Sequence, residues 1–152
     1  MNYSLILIDM QKYFAAANNR RVQLGCRQAI YQAIADNAPI ILVEYKGYGG
    51  TIRSLTDVIS RLKYRRKFVV RKYDNDGADE IFDAIEKNKL PCKKLRLGGI
   101  NTDCCVLETV FGLVNRYKLK NNIEVIANAC GSEHSHADGL YELRQSGVKI
   151  IK

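Results

Sequence analysis

The sequence predicts an α/β fold in three layers, a six-stranded parallel sheet with helices on both faces. Three observations predict it. Short apolar runs alternate with longer segments whose apolar residues recur at helical spacing. The short runs are continuously apolar rather than alternating, the pattern of strands buried on both faces. The 152 residues hold no repeat, low-complexity stretch or linker, so residues 1–152 read as one domain. That length buries a core without disulfide or metal staples.

Ser4–Ile8 (SLILI) reads as a buried strand that ends at Asp9. Leu24–Asn37 carries Leu24, Ile30, Ala33 and Ile34 at helical spacing, and Pro39 then leads into the strand Ile40–Glu44 (IILVE). Gly47, Gly49 and Gly50 form a flexible loop after it. Thr51–Leu62 is a helix with Ile52, Leu55, Ile59 and Leu62 on one face. Lys67–Arg71 (KFVVR) is a strand, and Ala78–Lys87 a helix built on Ile81, Phe82 and Ile85. Lys94–Gly98 (KLRLG) is the next strand and Thr102–Tyr117 the next helix. Ile123–Ala127 (IEVIA) is a strand and Ala137–Ser146 a helix stopped by Gly147; Val148–Ile151 closes the series. Strands separated by helices make βαβ units, so the arrangement is Rossmann-like.

Hydrophobic residues at 47% and charged residues at 26% suit a folded chain and exclude disorder. No apolar run approaches a membrane span. The first ten residues contain Asp9 and lack both a basic start and a small-residue cleavage site, so no signal peptide is expected. The five cysteines are odd in number, two are adjacent, and none are spaced as metal knuckles. Free thiols in a reducing cytoplasm are the expectation. Lys and Arg total 24 against 16 Asp and Glu, a net charge of +8 that favours anionic partners.

In an open parallel sheet a ligand sits outside the carboxyl ends of the strands. The residues there are Asp9, Glu44–Lys46, Lys72, Gly98–Asn101 and Asn128–Cys130. After the two glycines, Thr102 and Asp103 are placed to cap a helix, with Cys104 and Cys105 in its first turn. A helix start favours thiolate, and its free amides can hold an oxyanion. Asp9 is the candidate proton acceptor, and Lys72 the cation that steadies Asp9, the thiolate and the intermediate.

At these residues the chain resembles the isochorismatase-like cysteine hydrolase superfamily, which includes the nicotinamidases. Leu7-Ile8-Asp9-Met10-Gln11-Lys12-Tyr13-Phe14 is similar to the family's first-strand motif. Val69-Val70-Arg71-Lys72 is similar to the strand that delivers its lysine, and Gly99 to Thr109 to its nucleophile block. In that block the cysteine precedes Val and follows Thr by three positions, which selects Cys105 over Cys104. Val125 to Cys130 resembles the fifth-strand segment more weakly. The resemblance implies a six-stranded parallel sheet and a catalytic trio of Asp9, Lys72 and Cys105. It also implies a cis peptide at Ile100–Asn101, with the amides of Asn101 and Cys105 as oxyanion hole. Phe14 and Tyr45 are candidate walls of the substrate pocket.

Where nicotinamidases carry Asp-x-His after the second strand, this chain has Glu44-Tyr45-Lys46. The only histidines, His134 and His136, lie far downstream. No metal and no other cofactor is expected, and the departure argues against nicotinamide as substrate. The expectation is a cysteine hydrolase of a small carboxamide-like substrate, working through a thioester and without metal. The chain is expected to self-associate as relatives do. The alternative is a catalytically inactive member that uses its basic face for an anionic partner or nucleic acid. Arg61-Leu62-Lys63-Tyr64-Arg65-Arg66-Lys67 keeps that alternative open, although such a run is more commonly a solvated face, and nucleic acid is not the expected partner.

Overall fold

A computed structural model describes residues 2–152; Met1, the first residue of the apolar N-terminal stretch, lies outside them. Six parallel strands, β1 (Ser4–Ile8), β2 (Ile40–Tyr45), β3 (Lys67–Lys72), β4 (Leu95–Ile100), β5 (Ile123–Gly131) and β6 (Lys149–Ile151), form one sheet in the order β3-β2-β1-β4-β5-β6. Five helices connect them: α1 (Arg20–Ala35), α2 (Arg53–Arg61), α3 (Ala78–Asn88), α4 (Leu107–Asn115) and α5 (His136–Gln145). The fold class is the one the sequence predicts.

Strand alternation divides the core between the two faces. Leu5, Leu7 and Leu42 pack with Ile30 of α1 and Leu55 of α2. Ile6, Ile8, Ile41 and Val43 pack with Ile81 of α3, Val110 of α4 and Leu143 of α5. The strand order reverses between β1 and β4, and the crevice beyond their carboxyl ends is where such sheets bind ligands. Gly99 (φ 121°) makes that junction tight, because a β-carbon there would collide with the backbone of Ile8. No helix among the described residues is long and apolar enough to cross a membrane.

Most element boundaries differ from the sequence reading by one or two residues, and β4 runs on to Ile100; the larger differences have local causes. α1 starts at Arg20 rather than Leu24, because Asn19 caps it by accepting from the amides of Arg21 (2.9 Å) and Val22 (3.2 Å). A short 3₁₀ turn, Ala15–Asn18, precedes it. α4 begins only at Leu107, since residues Thr102–Val106 wind as a wider π-turn. β5 continues to Gly131, and a register shift lets Val125 pair with Leu97 but Cys130 with Gly99. Asn128–Cys130 therefore lies within that strand rather than beyond it.

Candidate active site

Asp9 follows β1 with φ 55°, a left-handed conformation that a non-glycine residue holds at a cost of about 1–3 kcal/mol and that collects at functional sites. Its amide donates to Val43 O (2.9 Å), which ties the turn to β2. Lys72, the last residue of β3, brings its Nζ to 3.1 Å from Asp9 Oδ2. That ammonium also donates to the carbonyls of Asp74 (2.8 Å) and Asn75 (3.0 Å) and lies 4.1 Å from the centre of the Tyr45 ring. Asp9 is 1% exposed and Lys72 0%. A buried lysine needs this many partners to stay folded in.

Asp9 Oδ1 is buried and has no hydrogen-bond partner. Burial raises the Asp9 carboxyl above its ordinary 3.8, although Lys72 and Cys105 pull it down. Cys105, 8% exposed, stands beside it. Burial, and then the charge of Asp9, push the thiol far up against the pull of Lys72. Burial and the Asp9 charge thus oppose the thiolate that a helix start and Lys72 favour. Its Sγ lies 3.7 Å from Asn75 Oδ1. Asn75 gave no sequence signal beyond its place three residues after Lys72.

The π-turn that carries Cys105 is braced from one side. The caps expected of Thr102 and Asp103 do not form, because both side chains turn to the segment after β5. Thr102 Oγ1 meets His136 Nδ1 at 2.8 Å. Asp103 accepts from Ser132 Oγ (2.5 Å) and from the Ser135 amide (3.1 Å). The Asn101 side-chain carbonyl accepts from the Glu133 amide (2.9 Å). Gly139 of α5 lies so close that a β-carbon there would come within 2.7 Å of the Thr102–Asp103 backbone. The Ile100–Asn101 peptide is cis. Asn101 O accepts from the amides of Cys104 (3.1 Å) and Val106 (3.2 Å), and the Cys105 amide between them makes no bond to that carbonyl.

Phe14 and Tyr45 meet at 6.4 Å between ring centres, and Tyr48 joins them at 4.9 and 5.3 Å. Sequence reading missed Tyr48, and also Gln11, which organises this wall. Fully buried Gln11 accepts from the Tyr45 amide (2.8 Å) and donates to the carbonyls of Tyr45 (3.0 Å) and Gly49 (2.7 Å). It substitutes for a backbone partner at the root of the glycine loop.

The position of the nicotinamidase metal motif does not fit a divalent ion. Glu44 Oε2 is taken by the Thr51 amide (2.7 Å) and hydroxyl (2.9 Å), and Tyr45 and Lys46 complete the segment. One engaged carboxylate beside an ammonium is not a ligand set. Among the described residues no three His, Cys, Asp or Glu gather to hold a metal. All five cysteines are free.

The overall geometry has close counterparts among known structures. Nicotinamidase PncA from Bacillus subtilis superposes with a TM-score of 0.82 at 18% identity, covering 100% of both chains. The nicotinamidase SaPncA from Staphylococcus aureus gives 0.81 at 17%, covering 99% of this chain and 97% of its own. MAR1 ribonuclease from Caenorhabditis elegans gives 0.80 at 23%, covering 97% and 75%. At such identities these proteins share the fold with this one. No curated protein matches the chain in sequence. A profile of the isochorismatase domain, however, matches residues 3–152. On that match across nearly its whole length, the chain belongs to the isochorismatase family.

Proposed function

We propose that the protein is a metal-independent cysteine hydrolase of a small carboxamide-like substrate. The observation that carries the reading is the buried group of Asp9, Lys72 and Cys105, in which one carboxylate oxygen of Asp9, Oδ1, is left without a partner. Asp9 takes the thiol proton on that oxygen as the sulfur attacks the carboxamide carbon. The carbonyl electron pair moves to oxygen, where the amides of Asn101 and Cys105 receive it. Protonated Asp9 returns the proton to the nitrogen, the C–N bond breaks, and ammonia or an amine leaves a thioester. Water then attacks the thioester while Asp9 takes its proton, the C–S bond breaks, and the thiol is restored. Lys72 compensates charge through each step without moving. Burial and Asp9 raise the thiol, so in this reading attack and proton transfer are coupled. Tyr45, Tyr48 and Phe14 wall the approach, and an uncharged, flat acyl group suits them.

The test is ammonia release from a panel of primary carboxamides, with acyl-enzyme trapping read by mass spectrometry. The expected result is turnover lost in Cys105→Ala and an acyl adduct on Cys105 in the wild type. Full turnover in Cys105→Ala overturns the assignment of the nucleophile.

A further inference from the structure

β3 is an edge strand, and one of its faces lacks a covering helix. Phe68, Val70 and Lys72 turn inward. Lys67, Val69 and Arg71 alternate with them and stand in solvent, Val69 49% exposed, and Tyr73, 65% exposed, follows in the bend after the strand, where it also borders Asp74 and Asp76. At about 3.3 Å per residue this stripe runs roughly 20 Å. Exposed Lys63 and Arg65 precede it in the chain, and it ends where Lys72 enters the candidate site. Among the described residues none of Lys46, Lys63, Arg65, Lys67 and Arg71 forms an ion pair. Lys46 reaches the Tyr73 ring, 5.1 Å from its centre. With Arg71 and the glycine loop it lines an open cavity of about 390 Å³.

Lysines alone on an edge strand are explained by protection against edge-to-edge pairing. An exposed valine and tyrosine between the cations are not, because they make the edge stickier. Unneutralised cations alternating with an exposed aromatic are the equipment for following a phosphate backbone while stacking an unpaired base. We propose that this face binds single-stranded nucleic acid, with phosphates along Lys67, Arg71 and Lys46 and a base against Tyr73. A duplex is disfavoured because its base faces are stacked within it and cannot reach the ring. The inference is independent of the hydrolase reading, since no residue of the stripe belongs to the Asp9, Lys72 and Cys105 group.

The experiment is fluorescence anisotropy of the whole chain with a labelled single-stranded RNA of about 12 nucleotides, within the usual span of such sites. Saturable binding is expected at about 50 mM salt, weakening with a log–log slope near −2, as three neutralised phosphates require. Lys67→Glu with Arg71→Glu is expected to lower affinity by at least about tenfold. Tyr73→Ala is expected to lower it by about 5- to 100-fold. Charge reversal at Lys87 and Lys93, off the stripe, is expected to change little, and Cys105→Ala to bind as the wild type does. An unchanged thermal midpoint in each variant shows that folding is intact. Three results overturn the proposal: no binding at low salt, an equal loss from the Lys87 and Lys93 reversal, or equal competition by duplex and heparin with no effect of Tyr73→Ala. The last result leaves a charge-only polyanion surface.

Discussion

Asp9, beyond the carboxyl end of β1, and Glu124, near the amino end of β5, are both buried carboxylates facing cations, yet their surroundings shift their titration in opposite directions. Glu124, with a side chain 8% exposed, is met by Arg96 (3.0 Å), Lys149 (3.3 Å) and Lys94 (3.5 Å). Burial pushes Glu124 up, but the hydrogen bonds and charges of those three hold it below its usual 4.5. Asp9 has one cation, and that cation is shared with two carbonyls and a ring. One of its oxygens is unpartnered, and burial wins. Depth of burial and the number of committed partners together set the direction of the shift. A carboxylate saturated with cations clamps a sheet; one left undersupplied can take a proton.

The largest expected contrast is in turnover. Asp9→Asn is expected to reduce carboxamide hydrolysis by about 10²–10⁴-fold, the usual worth of a positioned acid–base group, while Glu124→Gln stays within about twofold. Comparable losses in the two variants break the contrast. The second contrast is in stability. Lys72→Met leaves Asp9 buried without its cation and is expected to cost about 3–5 kcal/mol by denaturant unfolding. Adding Asp9→Asn to Lys72→Met should restore part of it; no restoration means that the charge pairing is not what the lysine supplies. Glu124→Gln, at a partly solvated network, is expected to cost about 1–2 kcal/mol.

The pH dependence sharpens this further. Glu124 has a lowered value in the fold, so its contribution is present above the unfolded value near 4.5 and is lost as pH falls through the folded one. The difference between wild type and Glu124→Gln should therefore shrink as pH falls from 4.5 through the lowered folded value. Asp9 has a raised value, so its ionisation costs stability as pH rises above 3.8 and the cost levels off above the folded value. Asp9 must nevertheless be ionised to accept a proton. The acidic limb of kcat/KM is expected above the ordinary carboxylate range, and a limb below 3.8 would remove Asp9 as the base. The smallest effect is on the thiol. At neutral pH iodoacetamide should label Cys105 more slowly than half-buried Cys92, because burial and Asp9 oppose thiolate.

Much of this architecture is legible in the sequence because it depends on neighbours in the chain. SLILI and IILVE are strands by composition, and Asp9 and Lys72 stand at strand ends by position. The winding at Cys105 is different. Thr102 and Asp103 look like caps locally, but their partners Ser132, Ser135 and His136 lie 29 to 34 residues away and pull the turn open. Asn75 and Tyr48 reach the site through loops whose paths follow from tertiary contacts rather than periodicity. The basic run 61–67 likewise reads as a solvated helix end until the edge position of β3 lines part of it up with Arg71 and Tyr73.

Gln11 has a consequence for how this site can diversify. By bonding both the amide and the carbonyl of Tyr45, and then Gly49 O, one buried side chain separates the loop into an anchored root and a replaceable tip. Residues 46–48 can change in size or charge while the ring over Lys72 keeps its place. The rim can thus change without disturbing the buried group of Asp9, Lys72 and Cys105.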